Sequence, residues 1–205
     1  MADLKFVYFN LQARGEPVRL ILAAAGQKYK DVRLSFLDWP KEMSKAPYGQ
    51  LPYAVYNGKP YGQTVALANF FARKFGLYGK TDVQNLRVDE AVALSGDFIN
   101  IIYNAKSAKD DLKKEELNTK LFEVDAPKFL GYFQTMLKEN GDTGYLVGDS
   151  LTQADLFLYN VLDALIFEKS DAASIFPPEI AKLREQVENL PGLKEYIASR
   201  PKVKF

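Results

Sequence analysis

The run Tyr48-Gly-Gln-Leu-Pro-Tyr-Ala-Val-Tyr-Asn-Gly-Lys-Pro-Tyr-Gly-Gln-Thr64 decides how this chain folds. Pro52 forces the loop before it to be extended, a short strand follows, Asn57-Gly58 makes a two-residue hairpin turn, a second strand returns, and a helix opens at Thr64. Such a hairpin brings two backbone features to one cavity: the amide and carbonyl of Leu51 at an X-Pro corner, and the bare N–H groups of a helix N-terminus. The first can pair with an extended peptide, and the second attracts a carboxylate. A small anionic peptide is the ligand class these features suggest. Taken alone, Pro52 and Asn57-Gly58 are also ordinary turn residues.

Working outward toward the N-terminus, Leu4 to Phe9 is an apolar and aromatic run with strand propensity. Asn10 to Gly15 is a loop. Glu16-Pro17 opens a helix that Leu20 to Ala25 continues and Gly26 stops. Tyr29 to Phe36 reads as a second strand, and Leu37 to Pro47, with two prolines and Trp39, as irregular or briefly helical. After the hairpin, Val65, Ala68, Phe71 and Ala72 share one face of a helix from Thr64 to about Phe75. A helical crossover makes the first two strands parallel, and the hairpin makes the last two antiparallel. The expected result is a four-stranded mixed sheet of thioredoxin-like topology.

On the other side, Gly76-Leu-Tyr-Gly-Lys-Thr-Asp82 marks a linker, and strand patterning then disappears. The division expected is residues 1–78 as a small ligand-binding domain and 82–205 as an all-helical domain. Val88, Val92, Ser95, Ile99 and Ile102 form one stripe of a long helix, with Asp97 on the opposite face. Ser107 to Glu116 reads as a solvated charged segment, and Leu117 to Glu139 as a second long helix bent by Pro127. Thr152 and Asp155 form a capping box, stapled by Leu151 and Leu156, that opens a buried helix to about Phe167. Two shorter helices, Glu179 to Glu188 and Leu193 to Ser199, close the chain.

The chain has 205 residues, 27 basic against 26 acidic, and neither cysteine nor histidine. Near-neutral charge gives no field to attract nucleic acid or anionic lipid. Without Cys or His, the protein has no thiol nucleophile, imidazole base, disulfide or thiolate metal site of its own. Any catalysis rests on Tyr, Arg, Lys, carboxylates or amides, and no metal is expected. The opening Met-Ala-Asp-Leu-Lys-Phe lacks the pattern of a secretory signal, and no apolar run approaches the roughly 18 residues of a membrane span. A cytoplasmic protein that does not bind membranes is the expectation.

The residues also resemble a known family. Tyr8-Phe9-Asn10, Arg14, Glu16-Pro17, Asp38-Trp39-Pro40, Gly49-Gln50-Leu51-Pro52, Gln63-Thr64, Phe75-Gly76-Leu77, Gly79-Lys80-Thr81, Val88-Asp89, Gly148-Asp149-Ser150-Leu-Thr-Gln-Ala-Asp155 and Arg200-Pro201 stand in the order found in cytosolic glutathione transferases. The chain looks like the sigma class and its nematode relatives, which include prostaglandin D synthases, along essentially its whole length.

The resemblance implies transfer of the glutathione thiolate to small hydrophobic electrophiles, as in detoxification, with glutathione as co-substrate. A thiol of pKa about 8.5 is only a few per cent ionised at neutral pH, and lowering it by about two units takes roughly 3 kcal/mol of thiolate stabilisation. One or two well-aimed hydrogen bonds to a charged group supply about that much. By resemblance the donor is Tyr8, reinforced by Arg14. Gln63 and Thr64 would hold the γ-glutamyl carboxylate, Leu51 would pair with the cysteinyl unit beside a cis peptide at Pro52, and Trp39 and Gln50 would line the glycyl end. Asp97 would reach the ligand of a neighbouring subunit, making a homodimer the active unit.

Phe9, Ile99, Tyr103, Asn104, Phe157 and Phe205 would contact the electrophile. Many sigma members carry lysine where this chain has Met43, so Lys41 or Lys45 would have to serve the glycyl carboxylate. The prostaglandin-isomerising members carry tryptophan where Asn104 stands. Two alternatives follow from the resemblance, glutathione-dependent prostaglandin D isomerisation and a non-catalytic, crystallin-like binding protein. Retention of Tyr8, Arg14, Gln63 and Asp97 argues against the second. Read without the family, Gln63-Thr64 is a helix cap, Trp39 a half-buried aromatic and Asp97 a solvated charge.

Overall fold

The computed structural model describes residues 3–202. The chain forms two compact units, Met1–Leu77 with Asn189–Phe205, and Tyr78–Glu188.

In the first unit, β1 (Leu4–Phe9) is followed by a 3-10 turn, Ala13–Gly15, and by α1 (Glu16–Ala24) and β2 (Lys30–Leu34). A single turn of helix, α2 (Trp39–Glu42), and two further 3-10 turns lead to β3 (Tyr53–Tyr56), β4 (Lys59–Gly62) and α3 (Thr64–Lys74). The sheet order is β2-β1-β3-β4, with β1 and β2 parallel and the β1/β3 and β3/β4 pairs antiparallel. This is the mixed thioredoxin-like sheet expected. Asn57 and Gly58 both have positive φ, 50° and 78°, as a hairpin turn twisted with its strands requires.

Alternation along β1 sorts its side chains. Leu4, Phe6 and Tyr8 are buried on one face. Val7 belongs to a cluster with Leu34, Ala46 and Tyr53, against which Phe9, Trp39 and Leu51 pack. β2 is shorter than Tyr29 to Phe36, because the chain turns after Leu34: Ser35 Oγ donates to Asp38 Oδ2 (2.6 Å), and Asp38 N–H donates to the Ser35 carbonyl (3.2 Å).

In the second unit, α4 (Asp82–Ser107), α5 (Asp111–Lys120), a π-helical turn (Leu121–Asp125), α6 (Ala126–Glu139), α7 (Gln153–Glu168) and α8 (Pro178–Asn189) follow in order. The stripe expected on α4 is found: Val88, Val92, Ser95 and Ile102 are buried. The solvated charged segment expected over Ser107 to Glu116 is found exposed, and most of it is helical. Asp110 caps α5 by accepting from Lys113 N–H at 2.8 Å, and no α5 residue is buried, so good helix formers sustain a solvated helix. The long helix expected over Leu117 to Glu139 is interrupted by the π turn just before Pro127, whose ring nitrogen cannot donate to the carbonyl four residues back. The Thr152–Asp155 capping box opens α7 as expected, and the helix is buried along most of its length.

The last helix, α9 (Leu193–Ser199), belongs to the first unit, so the packing division differs at the C-terminal end from one drawn along the chain at 78 and 82. The reason is polar: Tyr196 Oη donates to Glu16 Oε2 (3.0 Å) and Arg200 Nη1 to Glu16 Oε1 (2.8 Å), both on α1. Among the described residues no helix is long and apolar enough to cross a membrane.

Candidate active site

Tyr8 is the penultimate residue of β1, 6% exposed, with its ring toward α1. Burial pushes its phenol above the ordinary tyrosine range, offset in part by a backbone N–H bond from Arg14 and by the charges of Arg14 and Arg19. The group is therefore a neutral phenol at physiological pH, able to donate its proton to a bound anion without losing it. The turn that carries Arg14 lies against Tyr8 because Gly15 has no side chain: a Cβ there would fall 2.6 Å from Tyr8 Cγ. Ala13, at φ 40°, turns the chain sharply into α1.

Against that turn lies the segment from Tyr48 to Thr64. The Leu51–Pro52 peptide is cis, and Leu51 precedes Tyr53, the first residue of β3 paired in the sheet. Gln63, at the N-cap of α3, has φ 72° and ψ 117° and makes no side-chain capping bond among the described residues. A left-handed, non-glycine residue at this position is locally costly, of the order of 1–3 kcal/mol, and such strain is concentrated at functional sites. Its Nε2 donates to Gln50 Oε1 at 3.3 Å, and Thr64 Oγ1 donates to the Arg14 carbonyl at 3.1 Å. These contacts draw the Arg14 turn, the cis corner and the helix N-terminus together.

One small open cavity of about 60 Å³ is lined by Arg14, Gln50, Leu51, Pro52, Gln63 and Thr64, together with Pro47 and Tyr48. Its donors suit a carboxylate and an extended peptide: uncapped first-turn N–H groups of α3, a guanidinium, amide side chains and the backbone at a cis-proline. No group of three or more His, Cys, Asp or Glu side chains able to hold a metal occurs among the described residues.

The other expected positions lie elsewhere. Trp39 opens α2, half-buried, and its ring meets Phe9 edge-on at 6.1 Å, while Phe9 also packs on Phe36 at 4.6 Å. Lys45 is tied to Glu42 at 2.7 Å, and Lys41 and Met43 are exposed. In the second unit Asp97 and Asn104 are exposed on α4, Ile99 and Tyr103 are half-buried, and Phe157 is buried in α7. Phe205 lies outside the described residues. Sequence reasoning did not single out Gly15, whose requirement is a close approach between non-adjacent residues, nor Arg19, whose partners Asp31, Leu11 and Phe9 lie outside its own helix.

A family model described as "Glutathione S-transferase, C-terminal domain" matches residues 96–200. The chain is 34% identical to "Probable glutathione S-transferase 6" of Caenorhabditis elegans over all of both chains. It is 36% identical to "Hematopoietic prostaglandin D synthase" of Gallus gallus, covering 98% of each. Among solved structures it superposes with TM-score 0.89 on monomeric Na-GST-3, a glutathione S-transferase of the hookworm Necator americanus, at 38% identity, covering 99% of this chain and 100% of that one. Likeness of this extent, over a fold and cleft already suited to a small acidic peptide, places the chain in the glutathione S-transferase family, as a glutathione transferase with glutathione as its co-substrate.

Proposed function

We propose that this protein is a sigma-type, cytoplasmic detoxification enzyme, active as a homodimer, in which Tyr8 donates a hydrogen bond to the glutathione sulfur and Arg14 reinforces it. The observation that carries the reading is the meeting of Arg14, Gln50, Leu51, Pro52, Gln63 and Thr64 at one cleft. The α3 N-terminus with Gln63 and Thr64 would take the γ-glutamyl carboxylate, Leu51 the cysteinyl backbone, and Gln50 and Trp39 the glycyl end. Because Lys45 is held by Glu42, Lys41 is the better placed to serve the glycyl carboxylate. Bound glutathione supplies the nucleophilic sulfur. Tyr8 holds its negative charge while keeping the phenolic proton.

Phe9 in the first unit, Ile99, Tyr103, Asn104 and Phe157 in the second, and Phe205 are proposed as electrophile contacts, with 1–78 as the glutathione-binding domain and 82–205 as the hydrophobic-substrate domain. An apolar surface favours a second copy as partner: Tyr48, Tyr61 and Phe70 are exposed and border a cavity of about 620 Å³, an aromatic patch costly to leave in water. Asp97, exposed on α4, has the accessibility needed to reach a neighbouring subunit's ligand.

Retention on immobilised glutathione followed by conjugation of a chromogenic electrophile tests the reading. Tyr8→Phe is expected to lower kcat/KM by about 10- to 100-fold, the worth of one hydrogen bond to a charged group. Equal turnover by wild type and variant would remove Tyr8 from the reaction. A second reading, glutathione-dependent isomerisation of a prostaglandin endoperoxide, is favoured by the names of relatives such as the avian prostaglandin D synthase. Product analysis with that endoperoxide separates the two.

A further inference from the structure

Arg19 is a fully buried guanidinium on α1, and all three of its nitrogens are engaged. Nε donates to Asp31 Oδ1 (3.2 Å), Nη1 to the Leu11 carbonyl (2.6 Å) and Nη2 to the Phe9 carbonyl (3.3 Å). Its carbon also lies 5.5 Å and 5.7 Å from the ring centres of Phe6 and Tyr8. The other oxygen of Asp31 accepts from Arg33 Nε at 2.7 Å, and Arg33 Nη1 reaches Asn10 Oδ1 at 3.5 Å. Phe9, Asn10 and Leu11, the residues directly after Tyr8, are thus each held by a guanidinium.

The network continues to the other end of the chain. Glu16, 1% exposed, lies 3.7 Å from Arg19 Nη1, and its two oxygens accept from Tyr196 and Arg200 of the C-terminal segment. Tyr29 completes the set of ionisable neighbours, its phenol raised first by burial and then by Asp31. Buried ion pairs are seldom more stabilising than apolar residues of like size, since desolvation cancels most of the attraction. Stability alone does not account for so many charges gathered behind one strand end.

We propose that this network is the positioning device of the thiol-activating loop, with Arg19 as its central positioning residue, and that Tyr196 and Arg200 act on the bound thiol through Glu16 without touching the ligand. The inference rests on the reading of Tyr8 as the donor to sulfur. Arg19 places a positive charge over the Tyr8 ring and clamps the backbone that leads to Arg14. Arg200, Tyr196 and Arg19 together compensate Glu16, so removing Arg200 or Tyr196 leaves more of its negative charge to oppose the thiolate.

The test is the pH titration of the thiolate absorbance of glutathione bound to the full-length protein, with glutathione affinity measured in parallel. Arg200→Gln and Tyr196→Phe are expected to raise the thiol pKa by about half to one unit, and to lower kcat at neutral pH while leaving glutathione affinity within about twofold. Arg19→Lys keeps the charge but not the fork of donors, and is expected to raise it as well. Arg184→Gln, which breaks ion pairs to Asp163 and Glu188 in the helical unit, serves as the control: stability falls and the thiol pKa stays. Tyr196→Phe removes a hydroxyl only and is the milder of the two changes. If Tyr8→Phe shifts the thiol pKa while Arg200→Gln and Tyr196→Phe do not, this inference is overturned and the assignment of Tyr8 stands. If Tyr8→Phe itself leaves the pKa unmoved, the assignment fails and the inference with it.

Discussion

The ring of Tyr8 rests on the backbone of Gly15, so closely that a Cβ on Gly15 would sit 2.6 Å from Tyr8 Cγ. Neither partner can yield easily, because Tyr8 lies in a paired strand and Gly15 at the start of a helix. Gly15→Ala is therefore expected to push the phenol from its position. Overpacking of this kind costs about 1–3 kcal/mol of stability, and if Tyr8 is the donor to sulfur, its displacement by about 1 Å costs of the order of 100-fold in rate. Kinetics and urea unfolding of the variant check both, and wild-type turnover would show that the contact does not position Tyr8.

Gln63 offers a separation of stability from binding. Its left-handed backbone is cheaper for glycine, against which glycine's greater unfolded freedom costs about 0.5–1 kcal/mol. Gln63→Gly is expected to melt at or slightly above the wild-type temperature and to raise the KM for glutathione about tenfold or more through loss of the amide. Gln63→Ala, which loses the same amide and keeps the backbone strain, should share the KM effect and melt lower.

Asp155 links folding to pH. Its carboxylate accepts from Leu146 N–H (2.8 Å), Thr152 N–H (2.8 Å) and Thr152 Oγ1 (3.1 Å), yet burial outweighs these donors and pushes its pKa from 3.8 up to about 6. A native pKa above the unfolded one means the native state binds the proton more tightly. That contribution is complete below the unfolded value and is lost as pH rises through about 6. Asp155→Ala, which removes the capping box and the titration together, should destabilise at every pH, and by about 1 kcal/mol more near pH 5 than near pH 7.5. Paired urea titrations at the two pH values decide it, and a gap that widened on going to neutral pH would contradict the assignment.

Asp97 tests the assembly. If its carboxylate serves the neighbouring subunit's ligand, Asp97→Ala raises the KM for glutathione several-fold with little change in melting, because an exposed charge contributes little to folding. Sedimentation of the wild type should give a dimer whose exposed face includes neither Tyr48 nor Phe70, and Tyr48→Ser with Phe70→Ser should shift it toward monomer. A monomer with full activity would remove Asp97 from the site, a result made pertinent by a monomeric hookworm relative at 38% identity.

The local elements were legible in the residues wherever local chemistry decides them. The Asn57-Gly58 turn, the helix opening at Thr64, the first strand at Leu4–Phe9 and the Thr152–Asp155 box all appear as read, because each is set by neighbours within a few positions. The run after Ser107 is solvated, as its charges imply, and its helix needs no apolar stripe because its helix formers and its Asp110 cap are good.

By itself the sequence determined the order of strands and helices, an extended X-Pro corner beside a helix N-terminus suited to a small acidic peptide, and the exclusion of thiol and imidazole chemistry. Only the tertiary structure decided that Arg14 meets Thr64 and Gln50 meets Gln63 across one cleft, that Gly15 is the floor under Tyr8, that α9 returns to α1, and that Arg19 is an interior charge. The reason is the same in each case: turns and caps are bonds between near neighbours and are written in adjacent letters. A close approach or a buried charge depends on residues far apart in the chain, whose meeting follows from the packing of the whole unit.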